Sequence, residues 1–417
     1  MSLMSFAMLL TLVAGPSAAL PEEGFAIVGS KIFTAADAVP VVDNGVVLVK
    51  EKKILAVGRR SEVAIPTAWP VIDATGKWVV PGIVDAHDHS AGNLRDLNDL
   101  IYLTNPDLRT LDTIYPDSEP MRQAREGGVT TVLQIPGSGV NMTGFGVIAK
   151  TWGHTQKEVV LRFPGVIKIA QSGNPERYWY GVNRSFMNWN TRDTLKRMRA
   201  YVQAWEDFEA GKGAGRAPGR PVEQPKVNPF WHDFLGVFDR TVPAAMHTQI
   251  YQVVLETIKM MHDEFHIVPI LDHSTFDAFK LGPLAAERGI YVVAGPRQLH
   301  FDRNERTIWG VASEWWRRGV ERISINTDAP VVPQEELPYQ AAMAAHFGLP
   351  DGETLRGITI MPARALMVDD RVGSIEPGKD ADIGIWTGNP VDPRSRCEKL
   401  FVNGGLAYCC KRDDGRF

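Results

Sequence analysis

Between Pro81 and Leu366 the chain repeats one pattern, a short apolar run followed by a longer amphipathic stretch. GIVDAHDH, GVTTVLQIP, FGVIAKTW, GVIKIAQ, VPAAMHT, HIVPILDHS, GIYVVAG and RISINTDAP are eight strand candidates. Amphipathic segments follow several of them, among them TRDTLKRMRAYVQAWEDFEAG, IYQVVLETIKMMHDEF, FDAFKLGPLAAERG and RTIWGVASEWWRRG. Near-continuous apolar strands alternating with helices call for a parallel sheet covered on both faces. Eight such units in fewer than 300 residues predict a closed α/β barrel of the (β/α)8 TIM type. An open doubly wound sheet competes, but no GxGxxG follows the first strand.

The flanks have a different texture. From Phe25 to Val80, and again in ADIGIWTG (381–388) and KLFVNGGLAYCC (399–410), short β runs alternate with turns, with a reversal expected around Lys50 to Lys53. Two β-rich ends around a different middle predict a small composite β-sandwich built from residues 20–80 and 367–417, with the barrel over 81–366. Ala210 to Pro229 is rich in Gly, Pro and charge and reads as an exposed loop between the fourth and fifth barrel strands. Tyr178, Trp179, Tyr180, Trp189 and Trp231 lie on either side of it. They either wall a substrate site or pack the insertion against the barrel.

Residues 1–19 hold no charged side chain and run apolar from Phe6 to Val13, with Ser17 and Ala19 ahead of Leu20. This pattern predicts a secretory signal peptide and a periplasmic or secreted protein. No other stretch approaches the ~20 apolar residues that span a bilayer, so no membrane association is expected after cleavage. Forty-five basic against 49 acidic residues give a net charge of -4, which argues against a nucleic-acid partner. Cys397, Cys409 and Cys410 permit one bridge at most, and whether Cys397 pairs with Cys409 or Cys410 is open.

Histidines concentrate the chemistry. His87 and His89 stand two apart at the end of the first barrel strand, so period-two geometry points both to one face. His247 closes VPAAMH, His273 closes IVPILDH and Asp328 closes RISINTD. All would lie at the carboxyl mouth, where barrel enzymes place their sites. Imidazole and carboxylate ligands with open positions suit zinc or a similar first-row ion. Asp85, two before His87, is a candidate to orient one imidazole. After the seventh strand, Arg297 and His300 are candidate substrate contacts, and His154, His232, His262, His266 and His346 receive no role.

PGIVDAHDH (81–89) resembles the first-strand signature of the metal-dependent amidohydrolase superfamily. The resemblance extends through GKWVVPG, the ordered His247, His273 and Asp328, and the tail ITIMPARALMVDDRVGSIEPGKDADIGIWTGNPVD (358–392), which is similar to the imidazolonepropionase-like branch. It implies that His87 and His89 bind the more buried metal and His247 and His273 the more exposed one. It also implies that Asp328 touches metal, takes a proton from an activated hydroxide or water and delivers it to the leaving nitrogen. A bridging anion is implied too, a carboxylated lysine at Lys168 or a glutamate nearby. Lys150, ending FGVIAK, is a second lysine candidate. Gly173 stands where relatives carry that glutamate, and Gln249 and Ala329 replace expected histidines, so a centre with one ion stays open beside a binuclear one.

The function that follows is a metal-dependent hydrolase of an amide or other C–N bond in a small molecule, such as a cyclic amide, an N-acyl amino acid or a dipeptide. The alternatives are a deaminase or esterase of the same superfamily, or a non-catalytic subunit partnering a catalytic paralogue. A homo-oligomer is compatible with each.

Overall fold

In the computed structural model, residues 24–178, 181–212 and 223–413 are described. The expected leader 1–19, the aromatics Trp179 and Tyr180 and part of the insertion therefore lie outside the described residues. No helix among the described residues is long and apolar enough to cross a membrane.

The chain opens with four strands, β1 (Phe25–Phe33), β2 (Val41–Lys50), β3 (Lys53–Arg59) and β4 (Val71–Pro81). β2 turns into β3 where expected, through Glu51 and Lys52, both left-handed at φ +49° and +71°. That is the twist a two-residue hairpin needs, here achieved without Asn-Gly. The barrel follows, with β5 (Ile83–Asp88), β6 (Val129–Gln134), β7 (Met142–Lys150), β8 (Val160–Ala170), β9 (Ala244–Thr248), β10 (Pro269–His273) and β11 (Tyr291–Ala294). After a hairpin of β12 (Leu299–Asp302) and β13 (Thr307–Gly310), β14 (Ile323–Ile325) is the eighth barrel strand. All eight expected strands thus enter one sheet, in the order β14-β11-β10-β9-β8-β7-β6-β5. The ring comes together at its carboxyl rim, where Asp88 bridges Ala329 and the His89 N–H donates to the Ala329 carbonyl at 2.9 Å.

Two expectations change. The sheet is mixed, because β7 runs antiparallel to both β6 and β8. Only residues 135–141 join β6 to β7, too few for the crossover of about a dozen that a parallel return requires. Lys150 therefore ends its strand at the amino-terminal rim, paired in register with Thr131, and cannot serve the mouth. The second change concerns RTIWG, expected at the start of a helix, which forms β13, with the helix starting only at Val311.

Strands are buried on both faces, as apolar runs require. Leu133, Ile148, Val166, Ile270 and Val293 share one core cluster. Their neighbours Val132, Val147, Leu271 and Val292 pack in another with Trp315 and Leu337 of the helical layer. Helix Arg184–Glu209 begins earlier than its sequence pattern suggests, because the Asn183 side chain caps the Phe186 N–H. Trp231 packs beside Tyr201, ring centroids 5.9 Å apart, and Tyr201 Oη meets His232 Nδ1 at 2.9 Å. Trp231 thus anchors the insertion to this helix, whereas Trp189 stays exposed.

The chain closes with β15 (Ile383–Trp386), β16 (Cys397–Val402) and β17 (Gly405–Cys409). They join β1–β4 in one seven-stranded sheet ordered β17-β16-β15-β4-β1-β2-β3. A sandwich of two sheets was expected, but hydrogen bonding unites all seven strands. The sheet curls instead. Phe25 on β1 and Phe401 on β16 meet at 5.3 Å, although three strand spacings of a flat sheet would separate them by about 14 Å. At the other edge the Ile54 N–H donates to the Lys379 carbonyl at 2.9 Å. Between this sheet and the barrel, buried Lys150 lies 3.1 Å from Asp380 and 2.5 Å from Asp382. No cysteine is bridged among the described residues.

Candidate metal centre

β5 delivers His87 and His89 together. His87 Nε2 and His89 Nε2 are 3.2 Å apart, and Asp328 Oδ1 lies 3.5 Å from the first and 3.2 Å from the second. A tetrahedral ion bound at ~2.0–2.1 Å separates its ligand atoms by about 3.3–3.4 Å. The triangle matches one face of that tetrahedron. Both rings are turned for it: His87 Nδ1–H donates to Asp272 Oδ2 at 3.0 Å and His89 Nδ1–H to the Ile135 carbonyl at 2.8 Å, which puts each lone pair on Nε2.

β9 and β10 supply the other side. The His247 and His273 rings are 4.6 Å apart in edge contact, and His273 is 4.7 Å from the His87 ring. His273 is buried, yet neither ring nitrogen has a hydrogen-bond partner among the described residues. Two orphaned buried nitrogens are costly, and an ion would satisfy one of them. His87, His273 and Asp328 each offer an atom within 4.8 Å of the other two. The residues present therefore fit a divalent ion.

Backbone strain makes this convergence possible. His273 has φ +64°, the following Ser274 +47°, and Asp328 +50°. In a regular strand Asp272 and His273 would face opposite ways. The left-handed turn brings both to one cavity, Asp272 beneath His87 and His273 beside it. Non-glycine residues held this way cluster at functional sites.

Electrostatics suit ligation. Burial holds the imidazoles of His87 and His247 well below their usual range and pushes His273 down to about 4, so all three are neutral near pH 7. Burial alone would raise Asp328, but His273, His89 and His87 around it keep its carboxyl ionised, below the ordinary carboxylate range. Burial pushes Asp272 up to about 6. Lys168 also reaches the centre: fully buried, it places Nζ 3.0 Å from His87 Nε2, and burial lowers its ammonium to about 8.

The structure thus gathers His87, His89, Lys168, His247, His273 and Asp328. Arg297 is exposed, and His300 sits between Phe276 and Trp309, at 4.9 and 5.0 Å. Neither touches the cluster among the described residues. Asp85 does not orient an imidazole. Its carboxylate accepts the His87 backbone N–H at 3.2 Å and the Thr327 hydroxyl, while Asp272 holds the ring. Asp272 was missed because strand alternation turns it away from His273, and Ser138, 3.0 Å from His247 Nδ1, because nothing in the sequence marks it. At Gly173 (φ +80°) an added Cβ would lie 3.5 Å from His247 Nε2, so the position with the expected glutamate does look onto this pair.

Fold and cluster together define a barrel with a candidate metal centre at its carboxyl rim. The sequence model of the amidohydrolase family matches residues 311–408. Amidohydrolase tasK of Hapsidospora irregularis is 23% identical over 410 residues, which cover 87% of this chain and 40% of that protein. The chain therefore spans only about two fifths of that relative. Imidazolonepropionase of Sphingopyxis alaskensis is 24% identical over 388 residues, 86% of this chain and 90% of its own. The crystal structure of an amidohydrolase from Thermotoga maritima superposes with a TM-score of 0.81 at 27% identity, covering 92% of this chain and all of that one. The chain is thus similar to proteins of the amidohydrolase superfamily, imidazolonepropionases among them.

Proposed function

We propose that this protein is a metal-dependent hydrolase that cleaves an amide or other C–N bond of a small molecule, of the cyclic amide, N-acyl amino acid or dipeptide class. One observation carries the reading: three ligand atoms of His87, His89 and Asp328 stand 3.2–3.5 Å apart beside the unpartnered nitrogens of His273. The names of the amidohydrolase relatives support the bond type.

His87, His89 and Asp328 would hold one ion, zinc being the first choice for such donors. His247 and His273 would hold a second where Lys168, as its carbamate, provides the bridge. Without that carbamate the centre carries one. A bound divalent ion supplies Lewis acidity, polarising a carbonyl and lowering the pKa of a water to ~7. Asp328 turns Oδ1 to both imidazoles, so its other oxygen takes the proton of the attacking water and returns it to the leaving nitrogen. Asp272 keeps the His87 lone pair aimed inward throughout. With its leader-like residues 1–19, the protein acts in the periplasm or outside the cell.

The test combines metal analysis with a panel of N-acyl amino acids, dipeptides and cyclic amides. One to two equivalents of divalent ion per chain and turnover lost in His273→Ala are expected. A chain that takes up no divalent ion, or activity that survives His273→Ala, overturns the reading.

A further inference from the structure

The loop between β6 and β7 reads Ile135-Pro136-Gly137-Ser138-Gly139-Val140-Asn141. The geometry points to Ser138 as the positioning residue of His247, fixing the ring so that Nε2 faces the metal centre. This inference rests on the metal-centre reading above.

Ser138 is 7% exposed, and among the described residues the one hydrogen bond of its Oγ is to His247 Nδ1, at 3.0 Å. With Nδ1–H donating to that oxygen, the lone pair of His247 lies on Nε2, the nitrogen that looks toward position 173. A hydroxyl thus does for His247 what the Asp272 carboxylate does for His87 and the Ile135 carbonyl for His89. Histidines that ligate metals through one nitrogen are held through the other, and losing that outer contact weakens metal binding 10–100-fold.

The loop is braced to hold Ser138 still. The Gly137 N–H donates to the Leu97 carbonyl at 3.0 Å and the Gly139 N–H to Asn98 Oδ1 at 3.1 Å. A Cβ on Gly137 would lie 2.3 Å from the Asn98 side chain, and one on Gly139 2.6 Å from Leu100. The two glycines let the segment after β5 close down on the loop. At its far end the Asn141 side-chain amide donates to the Ala170 carbonyl at 2.7 Å, and Ala170 is the register partner of His247. The loop is therefore fixed to β8, the strand that pairs with the one carrying His247, and to the segment that leaves His87 and His89.

Zinc isotherms of the full chain, by competition with a chromophoric chelator, test this in wild type, Ser138→Ala, His247→Ala and the double variant. Ser138→Ala should weaken a binding step 10–100-fold, and Ser138→Thr, which keeps the hydroxyl, should restore it. In the His247→Ala background the same change should alter affinity less than about twofold, because a residue acting through another is not additive with it. Metal-free Ser138→Ala should melt as wild type does. An unchanged Ser138→Ala isotherm, or equal weakening in both backgrounds, overturns the role of Ser138 alone. A wild-type chain that binds no zinc overturns the metal-centre reading and this inference with it.

Discussion

Replacing Lys150 and Lys168, each by methionine, should separate two uses of a buried ammonium. Both lysines lie inside strands at 2% exposure or less. Lys150 meets Asp380 at 3.1 Å and Asp382 at 2.5 Å. Asp380 keeps Lys53 and Arg371 when Lys150 is gone, whereas Lys150 is the one cation paired with Asp382 among the described residues. A buried carboxylate stripped of its partner costs about 3–5 kcal/mol, which lowers the melting temperature of a chain this long by roughly 3–6 °C. Lys168 has no carboxylate within ion-pair reach among the described residues, and burial depresses it from 10.5 to about 8. The unfolded chain takes up that proton below pH 10.5 and the folded chain only below about 8. Metal-free stability is therefore lost as pH falls across this window, by about 3 kcal/mol at neutral pH. Methionine at 168 removes that loss. Lys150→Met should melt well below wild type and keep its metal content. Metal-free Lys168→Met should melt at or above wild type, gaining most below pH 8, and the variant supplied with metal should bind one ion at most. Melts from pH 7 to 10 with parallel metal analysis read both. Loss of metal without loss of stability in Lys150→Met, or a pH-independent difference for Lys168→Met, would refute the assignment.

Three further outcomes are expected. Asp272→Ala leaves His87 Nδ1 unpaired and should weaken zinc binding 10–100-fold in a chelator competition, with Asp272→Asn between it and wild type; equal affinities would show that the 3.0 Å contact orients nothing. Asp328→Asn should cut turnover by roughly 10²–10⁴ while the fold, followed by circular dichroism, is unchanged. Burial alone would raise Asp380, but Lys150, Arg371 and Lys53 hold its carboxyl at about 2. Its folded pKa lies below the unfolded 3.8, so this group contributes about 2 kcal/mol above pH ~4, lost as pH falls through 2. The melting gap between wild type and Asp380→Asn should then narrow between about pH 5 and 2, and a gap that stays constant would contradict the pairing.

The barrel was legible where apolar runs were bounded by turns, and all eight strands formed. Strand direction was not, because apolar content says nothing of polarity. The signal lay in the loop 135–141, too short for a crossover. His87, His89, His247, His273 and Asp328 could be read from strand ends, since each closes a run at the same rim. Asp272 could not, because alternation assigns it the opposite face until a left-handed His273 changes the geometry. Ser138 carries no periodic signature at all; only a partner 109 residues away gives it meaning. The curl of the terminal sheet likewise depends on pairing between segments that local propensity treats separately.

That pairing has a consequence for biogenesis. β4 leads straight into β5, the strand of His87, and its outer neighbour is β15, whose residues emerge from the ribosome some 300 positions later. Until Ile383–Trp386 have been synthesised, β4 presents an unpaired edge to the surrounding solution, the kind of surface on which nascent chains aggregate. Any chain truncated before that point carries the strand of His87 and lacks the neighbour that shields its approach.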